Sequence, residues 1–191
     1  GAGLYRNVHV IVTENAYIPV WGTYITTPTA TKEFAKVNVQ TKIVLPEGAD
    51  ASKYSVKTSV WNPNGQKLTE QTIPLSQIKY NDNSLSQEFI IQTPTLWSPD
   101  MPALYSAETR LYEGDQLKDI YTTPFGIRSI EIIPNKGFFL NGEKTVFKGV
   151  CNHHDLGPLG AAVNDAAIRR QIRILKDMGC NAIRTSHNLS L

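Results

Sequence analysis

The sequence predicts a mainly β chain, an immunoglobulin-like antiparallel β-sandwich followed by a βαβ unit, and three observations predict it. Apolar and polar residues alternate with a period of two from residue 8 to about residue 133. A helical stripe of apolar residues then appears over 164–178. Two short apolar runs flank that stripe, residues 146–151 and Ala182-Ile183, and each leads into polar residues.

In chain order, strands are expected first over residues 8–13 and 21–26. Ala35, Val37, Val39, Thr41, Ile43 and Leu45 then alternate with Lys36, Asn38, Gln40 and Lys42, and Tyr54, Val56, Thr58 and Val60 alternate with Ser55, Lys57 and Ser59. One face of each run is apolar and the other is wet, as in a half-buried antiparallel strand. Further strands are expected over 67–73, 84–92, 104–112 and 116–123. Turn signals separate them: Leu45-Pro46-Glu47-Gly48, Asn62-Pro63-Asn64-Gly65, Asn81-Asp82-Asn83 and Glu113-Gly114-Asp115. Seven or eight short strands at this spacing, with no helical stretch between them, indicate two packed sheets.

After Pro134 the pattern changes. Two short apolar runs flank Asn141-Gly142, a pair suited to a type I′ hairpin turn because both central residues there need positive φ. From Asn164, residues Ile168, Ile172, Leu175 and Met178 follow i, i+4, i+7 spacing. Asn164 or Asp165 can cap the helix start, Lys176 suits its negative end, and Gly179 suits a left-handed C′ position. The domain boundary is placed near residues 128–136, giving a sandwich over 8–130 and a second region over 131–191. One βαβ unit cannot bury both faces of a parallel sheet, so the chain is expected to be part of a longer protein.

Bulk properties exclude classes. The 191 residues carry 19 Lys plus Arg against 17 Asp plus Glu, a net charge of +2 with the basic residues scattered. That pattern indicates no nucleic-acid or anionic-membrane partner. No apolar run approaches the roughly 18 residues that span a bilayer, and the start shows no signal-peptide pattern. The chain reads as soluble, with its compartment open. Cys151 and Cys180 are expected at opposite ends of neighbouring parallel strands, too far apart for a disulfide, and read as small buried residues.

Polar groups just past the carboxyl ends of strands in a βαβ unit face the ligand side. Two clusters hold that position: Asn152-His153-His154-Asp155, and Arg184 with His187. Imidazole and carboxylate suit a metal, but neighbours on an extended segment point to opposite sides, so substrate-hydroxyl contact is favoured over a metal, with plain loop hydrogen bonding as the alternative. For Arg184 and His187 the alternative is a salt-bridge or packing pair. No metal or cofactor is inferred. Trp21, Trp61 and Trp97 are read as packing residues before a sugar-stacking platform. Asp155, Asp165 and Asp177 offer no acid and nucleophile pair.

Six segments together carry a resemblance: "GLYRNVHV" near the start, "WGTYITTP" at 21–28, "LWSPDMPALY" at 96–105, "FGIR" at 125–128, "GFFLNGEKTVFKGVCNHHD" at 137–155 and "MGCNAIRTSHN" at 178–188. In that order they resemble glycoside hydrolase family 2, which contains β-galactosidases, β-glucuronidases and β-mannosidases. The resemblance implies a jelly-roll domain upstream with residues 1–7 as its exit, then the sandwich, then a (β/α)8 TIM barrel of which the chain holds the truncated first βαβ unit. It implies sugar contacts for His153, Arg184 and His187, and a less fixed one for Asp155, where family members vary. Family members retain anomeric configuration with two glutamates farther along the barrel, so no catalytic residue is assigned to this chain and it is expected to be inactive alone. The family motif usually continues with proline after its second-strand His, whereas this chain has Leu189-Ser190-Leu191.

The resulting expectation is part of a retaining glycosidase, nearest the β-galactosidase branch, acting on terminal β-linked sugars of an oligosaccharide or glycoside. Homo-oligomer formation by the parent stays open. A rival class is a non-catalytic carbohydrate- or protein-binding sandwich, which a row of exposed aromatics on one sheet would favour. For the sandwich alone, a spacer that buttresses the barrel is preferred, since no site constellation appears in it.

Overall fold

The structure of the chain, a computed structural model, describes residues 8–77 and 84–186. The expected turn at Asn81-Asp82-Asn83 and the expected exit segment over 1–7 lie outside the described residues. Two compact units are present, residues 12–144 and residues 145–191 with 1–11.

The larger unit is a two-sheet sandwich. Strands β1 (Thr23–Ala30), β2 (Phe34–Lys42) and β5 (Ser84–Gln92) form one antiparallel sheet in the order β1-β2-β5. Strands β3 (Tyr54–Trp61), β4 (Lys67–Pro74), β6 (Tyr105–Glu113) and β7 (Gln116–Phe125) form the other in the order β4-β3-β6-β7. Alternation decides what each strand buries. Ala35, Val37, Val39 and Thr41 on β2, and Val56, Thr58 and Val60 on β3, are fully enclosed, while Lys36, Asn38, Gln40 and Lys57 between them stand on the opposite, wetter faces.

The core falls into two apolar clusters. One gathers Val37, Val39, Val60, Phe89, Ile91 and Tyr105, the other Ile43, Tyr54, Val56, Leu75, Leu85 and Leu111. Between them in strand register lie four buried polar residues: Thr41, Thr58, Gln87 and Thr109. The Thr58 hydroxyl donates to Gln87 Oε1 at 2.6 Å, and Gln87 Nε2 donates to the Gln71 carbonyl at 3.0 Å. With the Thr58–Thr109 hydroxyl contact at 3.3 Å these bonds pair three of the four, as buried polar groups require, while the Thr41 hydroxyl has no partner among the described residues.

Side chains rather than a backbone ladder tie the approach to β1 onto β7. The Ile18 N–H donates to Asp119 Oδ2 at 2.8 Å and the Trp21 N–H to the Tyr121 hydroxyl at 3.0 Å, and the Thr23 and Thr123 hydroxyls are in contact. Lys118 Nζ adds ion pairs to Glu14 at 3.4 Å and Glu113 at 3.1 Å.

On the wet face of the four-stranded sheet, Glu70 takes ion pairs from Lys57 at 2.9 Å and Lys67 at 3.0 Å, and a hydrogen bond from Ser59 Oγ at 3.0 Å. Lys57, then Lys67, then Ser59 hold its carboxyl at about 2, below the ordinary 4.5. A depressed carboxyl contributes stability above its unfolded value and loses it as pH falls toward the folded one. Urea unfolding should therefore show a part of the acid dependence, lying between about pH 4.5 and about pH 2, that Glu70→Gln removes. An unchanged pH slope in that variant would refute the assignment.

Three short strands follow in the order β10-β9-β8: β8 (Ile130–Ile133), β9 (Gly137–Leu140) and β10 (Glu143–Lys144). The turn between β9 and β10 has φ of 52° at Asn141 and 80° at Gly142, as expected of the pair. Asn141 does more than turn the chain. Its N–H donates to the Ser129 carbonyl at 3.0 Å, its Oδ1 accepts from the Ser129 N–H at 3.1 Å, and its Nδ2 donates to the Trp97 carbonyl at 3.0 Å.

Several expectations are corrected. Residues 8–13 form no strand; Val10 and Val12 are almost fully exposed, because a β-branched run needs a ladder partner and has none among the described strands. The strand expected at 21–26 begins at Thr23. Trp21 sits instead in a turn closed by Gly22 N–H to the Pro19 carbonyl, with φ of 57°, and is 76% exposed rather than packed. β8 was not distinguished from the preceding alternation. Cys151 is exposed, not buried, and both cysteines are free thiols.

Candidate functional site

In the second unit, β11 (Gly149–Asn152) and β12 (Ala182–Thr185) pair in parallel, with helix α1 (Asp165–Asp177) in the connection. Local signals fix the helix. The Ala167 N–H donates to Asn164 Oδ1 at 2.9 Å, so Asn164 is the N-cap. At the other end Gly179 has φ of 88°, its N–H donates to the Lys176 carbonyl at 2.9 Å, and the Cys180 N–H donates to the Leu175 carbonyl at 3.0 Å. That is a Schellman closure.

Asn181 fixes the start of the strand pair. Its Oδ1 accepts from the Lys148 N–H at 2.8 Å, its Nδ2 donates to the Val146 carbonyl at 3.0 Å, and its own N–H donates to the Lys148 carbonyl at 2.9 Å. At the far end the Ser186 N–H donates to the Asn152 carbonyl at 2.9 Å. Gly149 allows the two backbones to approach. A Cβ there would fall on the Ala182 carbonyl, 2.9 Å from its carbon.

The segment leaving β11 opens onto a hollow of about 280 Å³. His153, His154 and Asp155 form its polar wall, and Ile168 and Ile172 on α1, with Ile183 on β12, form its apolar wall. The spacing of the two isoleucines places them on one helix face, one turn apart. Among the described residues, no three His, Cys, Asp or Glu side chains gather as a metal would require.

Arg184 does not line this hollow. Alternate strand residues point to opposite faces, and Ile183 and Thr185 reach the His153 side while Arg184 lines a neighbouring hollow of about 430 Å³ with Phe147, Gly149 and Cys151. There Arg184 stands opposite Cys151 in register, and its Nη1 donates to Sγ at 3.7 Å. The structure thus brings His153 and Asp155 together and sets Arg184 apart from them; His187 lies outside the described residues. Asn181 and Cys151 carry site geometry that sequence reasoning had not assigned. Strand parity, reading 149, 151 and 184 as one face, was the signal for Cys151.

The family model described as glycosyl hydrolases family 2 matches residues 17–128, and that described as glycosyl hydrolases family 2, TIM barrel domain, matches residues 131–188. A β-galactosidase of Bacteroides ovatus is 40% identical over 98% of the chain, which covers 22% of that relative. A β-glucuronidase of Bacteroides fragilis is 29% identical over 97% of the chain, covering 27% of that relative. The crystal structure of a glycosyl hydrolase family 2 member from Bacteroides cellulosilyticus superimposes with a TM-score of 0.83 at 36% identity, covering 92% of this chain and 23% of that one. The chain therefore spans about a quarter of the length of these proteins. No helix among the described residues is long and apolar enough to cross a membrane.

Proposed function

We propose, from the premise that this chain belongs to glycosyl hydrolases family 2, that it supplies the sandwich and the first sugar-contacting positions of a retaining β-glycosidase, nearest the β-galactosidases. The observation that carries the reading is the parallel pair β11–β12 with His153 and Asp155 grouped at the carboxyl end of β11. In α/β barrels the residues past those strand ends meet the substrate. Imidazole and carboxylate at His153 and Asp155 can exchange hydrogen bonds with the hydroxyls of a terminal β-linked sugar, while Arg184, which lines the neighbouring hollow, and His187 are further contacts on the family resemblance alone. Bonds of this kind that strengthen as the ring takes on oxocarbenium character lower the barrier by a few kcal/mol at most each, roughly. The 40% identity to a protein named a β-galactosidase supports that branch.

The covalent chemistry lies elsewhere in this reading. Retention needs one carboxylic acid to protonate the leaving oxygen and a carboxylate about 5–5.5 Å away to attack the anomeric carbon. Asp155 borders the hollow, while Asp165 and Asp177 are the terminal residues of α1. Incubating the chain with chromogenic β-galactoside, β-glucuronide and β-mannoside should give no turnover. Hydrolysis that survives repurification and tracks the chain would overturn the placement of the reactive carboxyls outside it.

A further inference from the structure

A second hollow, in the sandwich unit, has no part in that reading. It measures about 370 Å³, within the ~300–1,000 Å³ usual for small-ligand clefts, and runs along β1. Tyr24, Thr26, Thr27, Phe125, Gly126 and Arg128 line it. β1 is the outer strand of its sheet, so its far edge has no ladder partner among the described strands. Tyr24 and Thr26 stand opposite Gln40 and Asn38 in register, on the wet face, and Tyr24 is 66% exposed.

Arg128 gives the hollow its chemistry. Its guanidinium carbon lies 4.9 Å from the Trp97 ring centroid, and Gly126 leaves room for that indole, since a Cβ there would come within 2.9 Å of it. Stacking holds the planar fork without consuming its N–H donors. Elsewhere on the sandwich Lys36, Lys57, Lys67, Arg110 and Lys118 are neutralised by carboxylates. Among the described residues, no carboxylate does so for Arg128. A braced guanidinium with free donors matches a planar carboxylate in two-point fashion. An exposed tyrosine ring beside it offers a face to sugar C–H groups, and Thr26 offers a hydroxyl.

We propose that this hollow is a binding subsite for a carboxylate-bearing sugar, a hexuronate unit of an acidic glycan. A neutral hexose could use the ring and the hydroxyl but would leave the guanidinium without its counterpart, so acidic units are selected. The subsite needs nothing from the β11–β12 end.

Titrating the chain at low salt with a disaccharide ending in glucuronate, the same disaccharide ending in glucose, and acetate, followed by ¹H–¹⁵N spectra, tests this. Saturable shifts should centre on residues 24–27 and 125–128, with the acidic disaccharide bound at least about tenfold more tightly than the neutral one and than acetate. Arg128→Gln should weaken it by about tenfold or more. Should that variant misfold through loss of the Trp97 stack, Tyr24→Ala, at an exposed position, should still lower affinity severalfold. Equal affinity for the neutral sugar, acetate binding as well as the disaccharide, no saturation, or no effect of the variants would each overturn the subsite. Shifts confined to residues 150–172 would do so as well, while leaving the barrel-end reading intact.

Discussion

Leu111→Ala should destabilise the sandwich by about 3 kcal/mol, within the ~2–5 kcal/mol range for emptying a fully enclosed leucine site. Leu111 is completely buried on β6 and packs in the cluster of Ile43, Tyr54, Val56, Leu75 and Leu85. Tyr54 and Val56 on β3 and Leu85 on β5 come from the two sheets, each fixed by its own ladder, so the space cannot close by moving one side chain. The buried polar residues Thr58, Gln87 and Thr109 border the same cluster in register and limit relaxation further, since moving them would break bonds that have no water to replace them. Equilibrium urea unfolding reads the effect as a lowered midpoint. Leu111→Met, close in volume, should cost less than about 1.5 kcal/mol. A loss below about 1 kcal/mol for the alanine variant would mean that the two sheets are not rigidly opposed there.

Gly149→Val should open the parallel pair. A Cβ at this position meets the backbone of Ala182, not a flexible side-chain end, so the strands must separate. Overpacking against backbone costs about 3 kcal/mol at the upper end of the usual range, equivalent to roughly a hundredfold in an opening equilibrium. The bonds at stake are Asn181 N–H to Lys148 and Ser186 N–H to Asn152. Hydrogen-exchange protection of those two amides should fall by about that factor, while amides of β3 and β6 hold theirs. Unchanged protection at Asn181 would show that β11 and β12 tolerate greater separation than the structure indicates.

Much of this fold was legible in the sequence because its determinants are local. The alternation on β2 and β3 needs only a wet face and a dry face, and Asn141-Gly142 needs only its own two φ angles. The helix from Asn164 to Gly179 carries its cap, its dipole partner and its stop within its own span. What could not be read depends on distant partners. Residues 8–13 have strand composition but no ladder to join, and the pairing of β3 with β6 joins segments some fifty residues apart. Trp21 looked like a packing residue until the turn at Pro19 to Gly22 set it outside. At the candidate site the polar clusters were legible as clusters, and Asn152 to Asp155 does wall one hollow. The division between that hollow and Arg184 follows from which way β12 faces, and grouping both clusters by their place past the strand ends passed over that parity.

The bonds that fasten the approach to β1 onto β7 have a consequence for synthesis. Ile18 and Asp119 are 101 residues apart, and Trp21 and Tyr121 are 100 apart. On the ribosome the chain emerges from its N-terminal side, so residues 14–22 leave the exit tunnel long before Asp119 and Tyr121 exist. β1 can find β2, and Tyr17 can bridge Val44 through two backbone bonds, within a short stretch of newly made chain, but the bonds from Ile18 and Trp21 to Asp119 and Tyr121 wait until β7 has emerged, so this segment is fastened in two stages.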